Sequence, residues 1–271
     1  MASKPTLAKQ ITRWRNFQPA PFEDYLVVEE PLEIRVNGQS LIVMMRTPGH
    51  DFDLAAGLLY TEGLIQSGDD IGAIAYCEDD EQVNLQNIIN VHLTNGQRLE
   101  EQSGWQRNFH ANASCGLCGK MTIESVKRET PPIESDIQIE QDVFYQLNDR
   151  LRLAQAVFEQ TGGLHAVGLF DSQGELQIIR EDIGRHNAVD KVVGSALLAE
   201  RIPLTEHILM VSGRASFEIV QKALFARIPV IVAVSAASSL AVELAQENEI
   251  TLIGFMRGKS MTVYSRPDRI R

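Results

Sequence analysis

Apolar and polar residues alternate in one short run early in the chain, and a continuous apolar run follows it. Leu32–Val36 reads "LEIRV" and Ser40–Arg46 reads "SLIVMMR", with Asn37-Gly38 between them. A period of two marks strands with one buried face. Asn-Gly is the pair that best tolerates the positive φ angles of a tight hairpin. The spacing then changes. In "DFDLAAGLLYTEGLI", Asp51–Ile65, apolar residues recur at helical intervals, with Asp51 or Asp53 as the expected N-cap. "IGAIAYC" and "NIINVHL" predict two further strands, the second followed by Asn95-Gly96. Residues 103–120 carry no period and read as a loop. Thr130-Pro131-Pro132, followed by acidic residues, marks a boundary.

Beyond that boundary strand and helix patterns alternate. One long helix is predicted over about 139–160, ended by Gly162-Gly163. The hairpin "LHAVGLFDSQGELQIIR" follows. Then come a helix from Asn187, the strand "HILMVSG", a helix from Phe217, the strand "VIVAVSA", a helix from Ser239 and the strand "TLIGFMR". "MTVYS" reads as an added edge strand. Nearly continuous apolar strands alternating with helices predict a mostly parallel or mixed sheet with helices on both faces. The fold class is therefore α/β, with an α+β N-terminal part. The expected division is a smaller β-rich domain over 1–130 and an α/β domain over 131–271.

Composition narrows the function classes. The chain has 271 residues, 44% of them hydrophobic, and a net charge of −11. That charge argues against general nucleic-acid binding, which needs a basic surface. Met1–Gln18 has no apolar run behind its basic residues, and "IPVIVAVSAA" is too short to cross a bilayer. Neither export nor membrane insertion is expected. Three cysteines make no disulfide framework and fit a reducing compartment, so a cytoplasmic location is expected.

Candidate chemistry gathers at the predicted strand ends. Open α/β sheets bind ligands beyond the carboxyl ends of their strands. Those ends carry Asp182-Ile183-Gly184-Arg185-His186, Ser212-Gly213-Arg214-Ala215-Ser216, Ser235-Ala236-Ala237-Ser238 and Met256-Arg257-Gly258-Lys259. Glycines allow close backbone approach. Helix starts offer free N–H groups to an anion. Guanidinium groups match phosphate in two-point contacts. We expect a pocket for a phosphorylated ligand, a nucleotide or a molecule containing one. The competing reading pairs these arginines with Asp182, Glu218 and other acids as structural salt bridges. "GFMRGKS" is not a phosphate-binding P-loop: three residues, not four, separate Gly254 from Gly258, and a strand pattern follows where a helix is required. No Gly-x-Gly-x-x-Gly fingerprint opens a helix.

The stretch "NASCGLCGK" holds Cys115 and Cys118 between glycines. Cys77 and His110 do not complete a zinc motif with them, and no His-x-Glu of a zinc deaminase occurs. A dithiol switch and a sulfur relay both remain open on spacing alone. A persulfide carrier needs a nucleophilic thiolate on an adaptable loop with positive charge near it. Arg107, His110 and Lys120 are candidates for that charge.

Several blocks in one order resemble the FdhD family, the formate dehydrogenase accessory sulfurtransferases. They are "SCGLCGK", "TGGLHAVGL", "REDIGRHNAVDKVVG", "SGRASFEIVQKA" and "GFMRGKSMTVYS". One departure is Ala237-Ser238, where the family often has Pro-Thr. The resemblance implies a C-terminal domain like cytidine deaminase without its zinc chemistry, and a homodimer. It implies that sulfur comes from a cysteine desulfurase as a persulfide on Cys115, with Cys118 as partner. The sulfur would pass to the molybdenum bis(molybdopterin guanine dinucleotide) cofactor, bound as substrate, for the formate dehydrogenase apoenzyme. No permanently bound metal is implied. The segment Gly254, Phe255, Met256, Arg257, Gly258 and Lys259 matches the family's cofactor-binding block. From the strand ends we add Arg185, His186, Ser212, Arg214, Ser216 and Ser235, with His165 as a further lining candidate. The rival expectations are a cofactor-holding chaperone that forms no persulfide and a zinc deaminase-like enzyme.

Overall fold

Two strands that the apolar pattern does not announce come first. β1 (Thr6–Arg15) and β2 (Gln18–Val27) pair antiparallel with each other and, among the described residues, with no third strand. The structure, a computed structural model, describes residues 4–77, 85–94 and 130–271. The predicted hairpin follows as β3 (Glu30–Val36) and β4 (Gln39–Arg46), with Asn37 at φ 48° and Gly38 at φ 82° in the turn. β5 (Ile71–Tyr76) and β6 (Ile88–Leu93) complete a four-stranded sheet of order β4-β3-β6-β5. Between β4 and β5 in sequence lies α1 (Asp51–Thr61), whose N-cap is His50 in the left-handed region, not an aspartate. Tertiary partners take both aspartates away from that role. Asp51 pairs with Arg46 at 3.1 Å and accepts the Tyr76 hydroxyl, and Asp53 pairs with Arg180 at 2.7 Å.

The single long helix expected before the glycine pair is two helices, α2 (Gln141–Ala154) and α3 (Ala156–Thr161). Gln155 leaves helical geometry between them, at φ −80° and ψ 78°. Glu181, 24 residues from Val157, causes the break. Its carboxylate accepts the backbone N–H groups of Val157 at 3.0 Å and Phe158 at 2.9 Å, and so caps the second helix. Gly162 ends α3 at φ 66°.

The rest follows the alternating pattern. β7 (His165–Asp171) and β8 (Leu176–Asp182) form the hairpin. Then come α4 (Arg185–Leu198), β9 (His207–Val211), α5 (Phe217–Phe225), β10 (Val230–Ala233), α6 (Ser239–Glu247), β11 (Thr251–Arg257) and β12 (Ser260–Ser265). They build a mixed sheet of order β12-β11-β10-β9-β7-β8, in which β9, β10 and β11 run parallel. The fold is mixed α/β. Strand side chains alternate between two layers. Ile208, Met210, Val230 and Val232 meet Phe144, Leu147 and Leu151 of α2. Leu209, Val211, Ile231 and Ala233 face the helices on the opposite side. The buried cluster on that side also contains Leu32, Ile34, Leu54 and Val91, so it crosses position 130.

α1 and α4 cross with backbone against backbone. A Cβ on Gly57 would lie 1.9 Å from the Asp190 carbonyl oxygen, and one on Gly194 would lie 1.8 Å from that of Asp53. No real contact is that short, so only glycine permits the crossing. Beside it Lys222 Nζ donates to both Asp190 oxygens at 2.8 and 2.9 Å and to Thr61 Oγ1 at 3.0 Å. Burial works against this ammonium, but the carboxylates of Asp190 and Glu62 outweigh it and hold the Lys222 pKa up.

Gly194→Ala is expected to destabilise the fold by about 3 kcal/mol, since two helices must separate to admit one methyl group. Gly38→Ala, in an open turn, should cost only about 1 kcal/mol. Urea denaturation of both variants checks the contrast; equal losses would show that the crossing is not close-packed.

Candidate functional site

Strand direction brings the predicted loops together. β7 runs antiparallel to both β8 and β9, so the start of β7 and the end of β8 lie beside the ends of β9, β10 and β11. Backbone hydrogen bonds link the loops across that edge. Ser212 N donates to Ala166 O at 3.0 Å, Ser235 N to Gly213 O at 3.3 Å, and Phe255 N to Ser235 O at 3.1 Å. α4, α5 and α6 all begin here, after Gly184, Ser216 and Ser238. Three helix starts therefore present their free N–H groups to one edge, the arrangement that favours an anion.

Asp182 organises the loop that opens α4. It is fully buried and pairs with Lys191 Nζ at 2.7 Å. It also accepts from Gly184 N at 2.8 Å, Asn187 Nδ2 at 2.9 Å and Thr47 N at 3.2 Å. Lys191 in turn donates to Thr47 O at 2.9 Å. Arg185 and His186 thus leave the sheet from a loop fixed by both halves of the chain. Sequence reading treats Asp182 only as a possible arginine partner and misses Thr47 and Lys191. No motif links positions 135 residues apart, so nothing in the sequence announces them.

His186 is held in turn. Its Nε2 lies 2.7 Å from Glu218 Oε2 and 3.3 Å from Ser216 Oγ. A carboxylate only accepts, so the Nε2 proton points at Glu218. The second Glu218 oxygen and Arg185 Nε are buried with no hydrogen-bond partner among the described residues. Of the two acids named in the competing salt-bridge reading, Asp182 pairs with Lys191 and Glu218 with His186; among the described residues neither pairs with Arg185 or Arg214. Arg214 is exposed. His165, paired in register with Asp182, stands against Gly213, where a Cβ would lie 3.4 Å from its Nδ1. Burial lowers the His165 pKa, and the charges of Arg185 and His186 lower it further, against a smaller opposing pull from Asp182.

The remaining candidates divide. The Ser212 hydroxyl accepts the Ala166 N–H at 3.0 Å and so joins β7 to the loop. Ser235 is half-buried between Gly213 and Phe255. Gly254 is buried beneath Tyr264, whose ring would lie 2.9 Å from an added Cβ. Phe255 takes φ 52° and is exposed. That left-handed residue sits in an irregularity of the β11–β12 pairing and resets the alternation. The Met256 side chain therefore turns into the buried cluster that includes α2. Arg257, Gly258 and Lys259 are exposed at the hairpin tip beyond β11, with Gly258 at φ 52°. Cys115 and Cys118, with Arg107, His110 and Lys120, lie outside the described residues. Cys77 is half-buried at the end of β5, its N–H bonded to Ile88 O at 3.0 Å. Among the described residues no three His, Cys, Asp or Glu side chains are grouped to hold a metal ion. None of the described helices is long and apolar enough to cross a membrane.

The sequence profile of the FdhD/NarQ family matches residues 27–271. The chain belongs to the FdhD/NarQ family. Within it, this FdhD/NarQ chain is 48% identical over 274 residues to the sulfur carrier protein FdhD of Streptomyces avermitilis, covering 98% of this chain and 95% of that one. It is 46% identical over 269 residues to that of Mycolicibacterium paratuberculosis, covering 98% of each. A crystal structure from Desulfotalea psychrophila, described as a formate dehydrogenase accessory protein, has the same fold. It superposes with a TM-score of 0.77 at 24% identity, over 99% of this chain and 100% of the other.

The edge predicts a pH dependence. Because folding lowers the His165 pKa, the unfolded chain binds protons that the folded state refuses once pH drops below about 6.5. Stability should therefore fall as pH falls through that value. Urea midpoints from about pH 8 to pH 5 should show a shallower decline for His165→Asn; an unchanged slope would remove His165 from this account.

Proposed function

We propose that this chain is a sulfur carrier that serves formate dehydrogenase maturation through a persulfide on Cys115. The reading is carried by its near-full-length identity of 48% with a sulfur carrier protein FdhD. The edge geometry supports a nucleotide-bearing acceptor, the molybdenum bis(molybdopterin guanine dinucleotide) cofactor, bound as substrate. Arg185, Arg214, Arg257 and Lys259 would meet its phosphates. Three helix starts add N–H donors, and the exposed ring of Phe255 offers a flat surface for a heterocycle.

The chemistry balances with two thiols. Cys115 thiolate attacks the outer sulfur of a cysteine desulfurase persulfide; that S–S bond breaks and the desulfurase cysteine leaves as thiolate. Cys118 thiolate then attacks Cys115 Sγ, forms a Cys115–Cys118 disulfide and expels hydrosulfide. The hydrosulfide would replace an oxo ligand of the molybdenum as sulfido, its proton leaving with the displaced oxygen as hydroxide. A thiol reductant returns the disulfide to two thiols. Such partners fit a cytoplasmic protein acting on the dehydrogenase apoenzyme, and the family's homodimer is the expected assembly.

Incubation with a cysteine desulfurase and free cysteine should add the mass of one sulfur atom to the peptide containing Cys115. Cys115→Ala should abolish both that addition and dehydrogenase activation while leaving nucleotide binding intact. Activation by the variant, or no sulfur on the wild-type peptide, would favour a cofactor-holding chaperone. Arg185→Met should weaken guanosine diphosphate binding by about tenfold to a hundredfold, the worth of a charge-assisted contact. Calorimetry measures this; unchanged affinity would remove Arg185 from the pocket.

A further inference from the structure

The start of α5 gives up an ordinary structural role. Ser216 is its N-cap residue, yet the Ser216 hydroxyl caps nothing and lies 3.3 Å from His186 Nε2. Ser238, in the same position of α6, does cap its helix and accepts the Ala241 N–H at 3.3 Å. Two residues beyond Ser216, Glu218 engages His186 Nε2 at 2.7 Å with one oxygen. Its other oxygen is buried and unpartnered among the described residues. Asp182, the carboxylate that serves the scaffold, is different. Gly184 N and Asn187 Nδ2 engage its Oδ1, and Thr47 N and Lys191 Nζ its Oδ2. Buried polar groups without partners are rare in native folds, and a functional role is one reason they persist.

The pair sets the chemistry of the ring. Glu218 accepts the Nε2 proton, so the neutral imidazole carries its lone pair on Nδ1. No hydrogen bond engages Nδ1 among the described residues, and the ring is half-buried at the edge. An imidazole oriented by a carboxylate takes a proton at its free nitrogen and is stabilised while charged. Arg185, the preceding residue, also has a buried Nε without a partner among the described residues, so a cation suited to an anionic substrate adjoins this base.

Sulfur insertion has a proton to move. Hydrosulfide arrives with one, the sulfido ligand has none, and the displaced oxygen leaves with it. Direct passage between two atoms bound to one metal needs a strained four-membered geometry, which an intervening imidazole avoids.

We propose that His186 relays this proton and that Glu218 positions His186; the step rests on the sulfur-carrier reading. Nδ1 takes the hydrosulfide proton as a sulfur electron pair forms the bond to molybdenum. The molybdenum–oxygen bond breaks, its electrons leave with the oxygen, and the imidazolium returns the proton to that oxygen. Hydroxide departs, the ring is neutral again, and nothing is oxidised or reduced. His186 is the catalytic residue. Glu218 touches no substrate and acts through the ring.

Single-turnover sulfuration tests this. The full chain, loaded with persulfide on Cys115, meets the oxo form of the molybdenum bis(molybdopterin guanine dinucleotide) cofactor, and mass spectrometry counts sulfur on the recovered cofactor. His186→Ala should slow sulfuration by about a hundredfold or more, the usual worth of a positioned proton-transfer group, and added imidazole should recover about tenfold. Glu218→Gln should also slow it by about a hundredfold, because an amide can donate to Nε2 and move the ring proton to Nδ1. Glu218→Asp keeps the carboxylate and should cost only about tenfold. Nitrogen-15 NMR should place the neutral-ring proton on Nε2 in the wild type and on Nδ1 in Glu218→Gln. Thermal unfolding checks that each variant folds, and the two Glu218 variants decide the matter if His186→Ala does not. A folded His186→Ala chain with the wild-type rate, or one that imidazole does not rescue, would overturn the relay and leave the sulfur-carrier reading standing. So would a Glu218→Gln chain with the wild-type rate or the wild-type tautomer. A wild type that takes no sulfur on Cys115, or passes none to the cofactor, would overturn both.

Discussion

One buried carboxylate holds the candidate site to the fold. Asp182 has no access to water and gathers an ammonium, a side-chain amide and two backbone N–H groups around itself. Removing any charged partner from such a group leaves an ion stranded in low dielectric, at a cost of about 3–5 kcal/mol. The loop from Asp182 to Asn187 therefore has one arrangement, and Arg185 and His186 are presented from a rigid base. Because Thr47 supplies part of the shell, the edge exists only when the N-terminal segment is docked.

The docking is secured by sterics as much as by charge. Gly57 and Gly194 let α1 and α4 touch through their backbones. The Thr61–Asp190 hydrogen bond joins the same two helices, Lys222 of α5 ties both, and Arg180 of β8 bridges Asp53 of α1 and Ser195 of α4. The functional edge is built on α4, so the precision of this crossing passes directly to the site. An acidic chain can still offer an anion site because the positive groups are local. Arginines, helix starts and the hairpin Lys259 converge on one edge while the net charge is spread over the surface.

Much of this was legible in the sequence where a local rule governs. Asn37-Gly38 specified its turn, and strand–helix alternation specified the layers and the edge at which the helix starts meet. The illegible parts share a cause, which is control by distant residues. Glu181 splits the α2–α3 segment, and Arg46 draws Asp51 away from capping. The left-handed Phe255 turns Met256 inward. The β1–β2 ribbon hides for a different reason: with no core to face, it has no apolar stripe to betray it. The meeting of these loops at one edge was readable because glycine and arginine recur at equivalent strand–helix junctions. Its scaffold of Thr47, Lys191 and Glu218 was not, since ordinary residues acquire that role only through the fold.

The central claim is that an anionic, nucleotide-bearing substrate is gripped at the carboxyl edge of the six-stranded sheet. Hydrogen–deuterium exchange with and without guanosine diphosphate tests it most directly. Protection confined to Gly184–Asn187, Ser212–Ser216 and Phe255–Lys259 is the predicted result. Protection at the opposite edge, around residues 133–138 and 205–206, or no protection at saturating nucleotide, would contradict it.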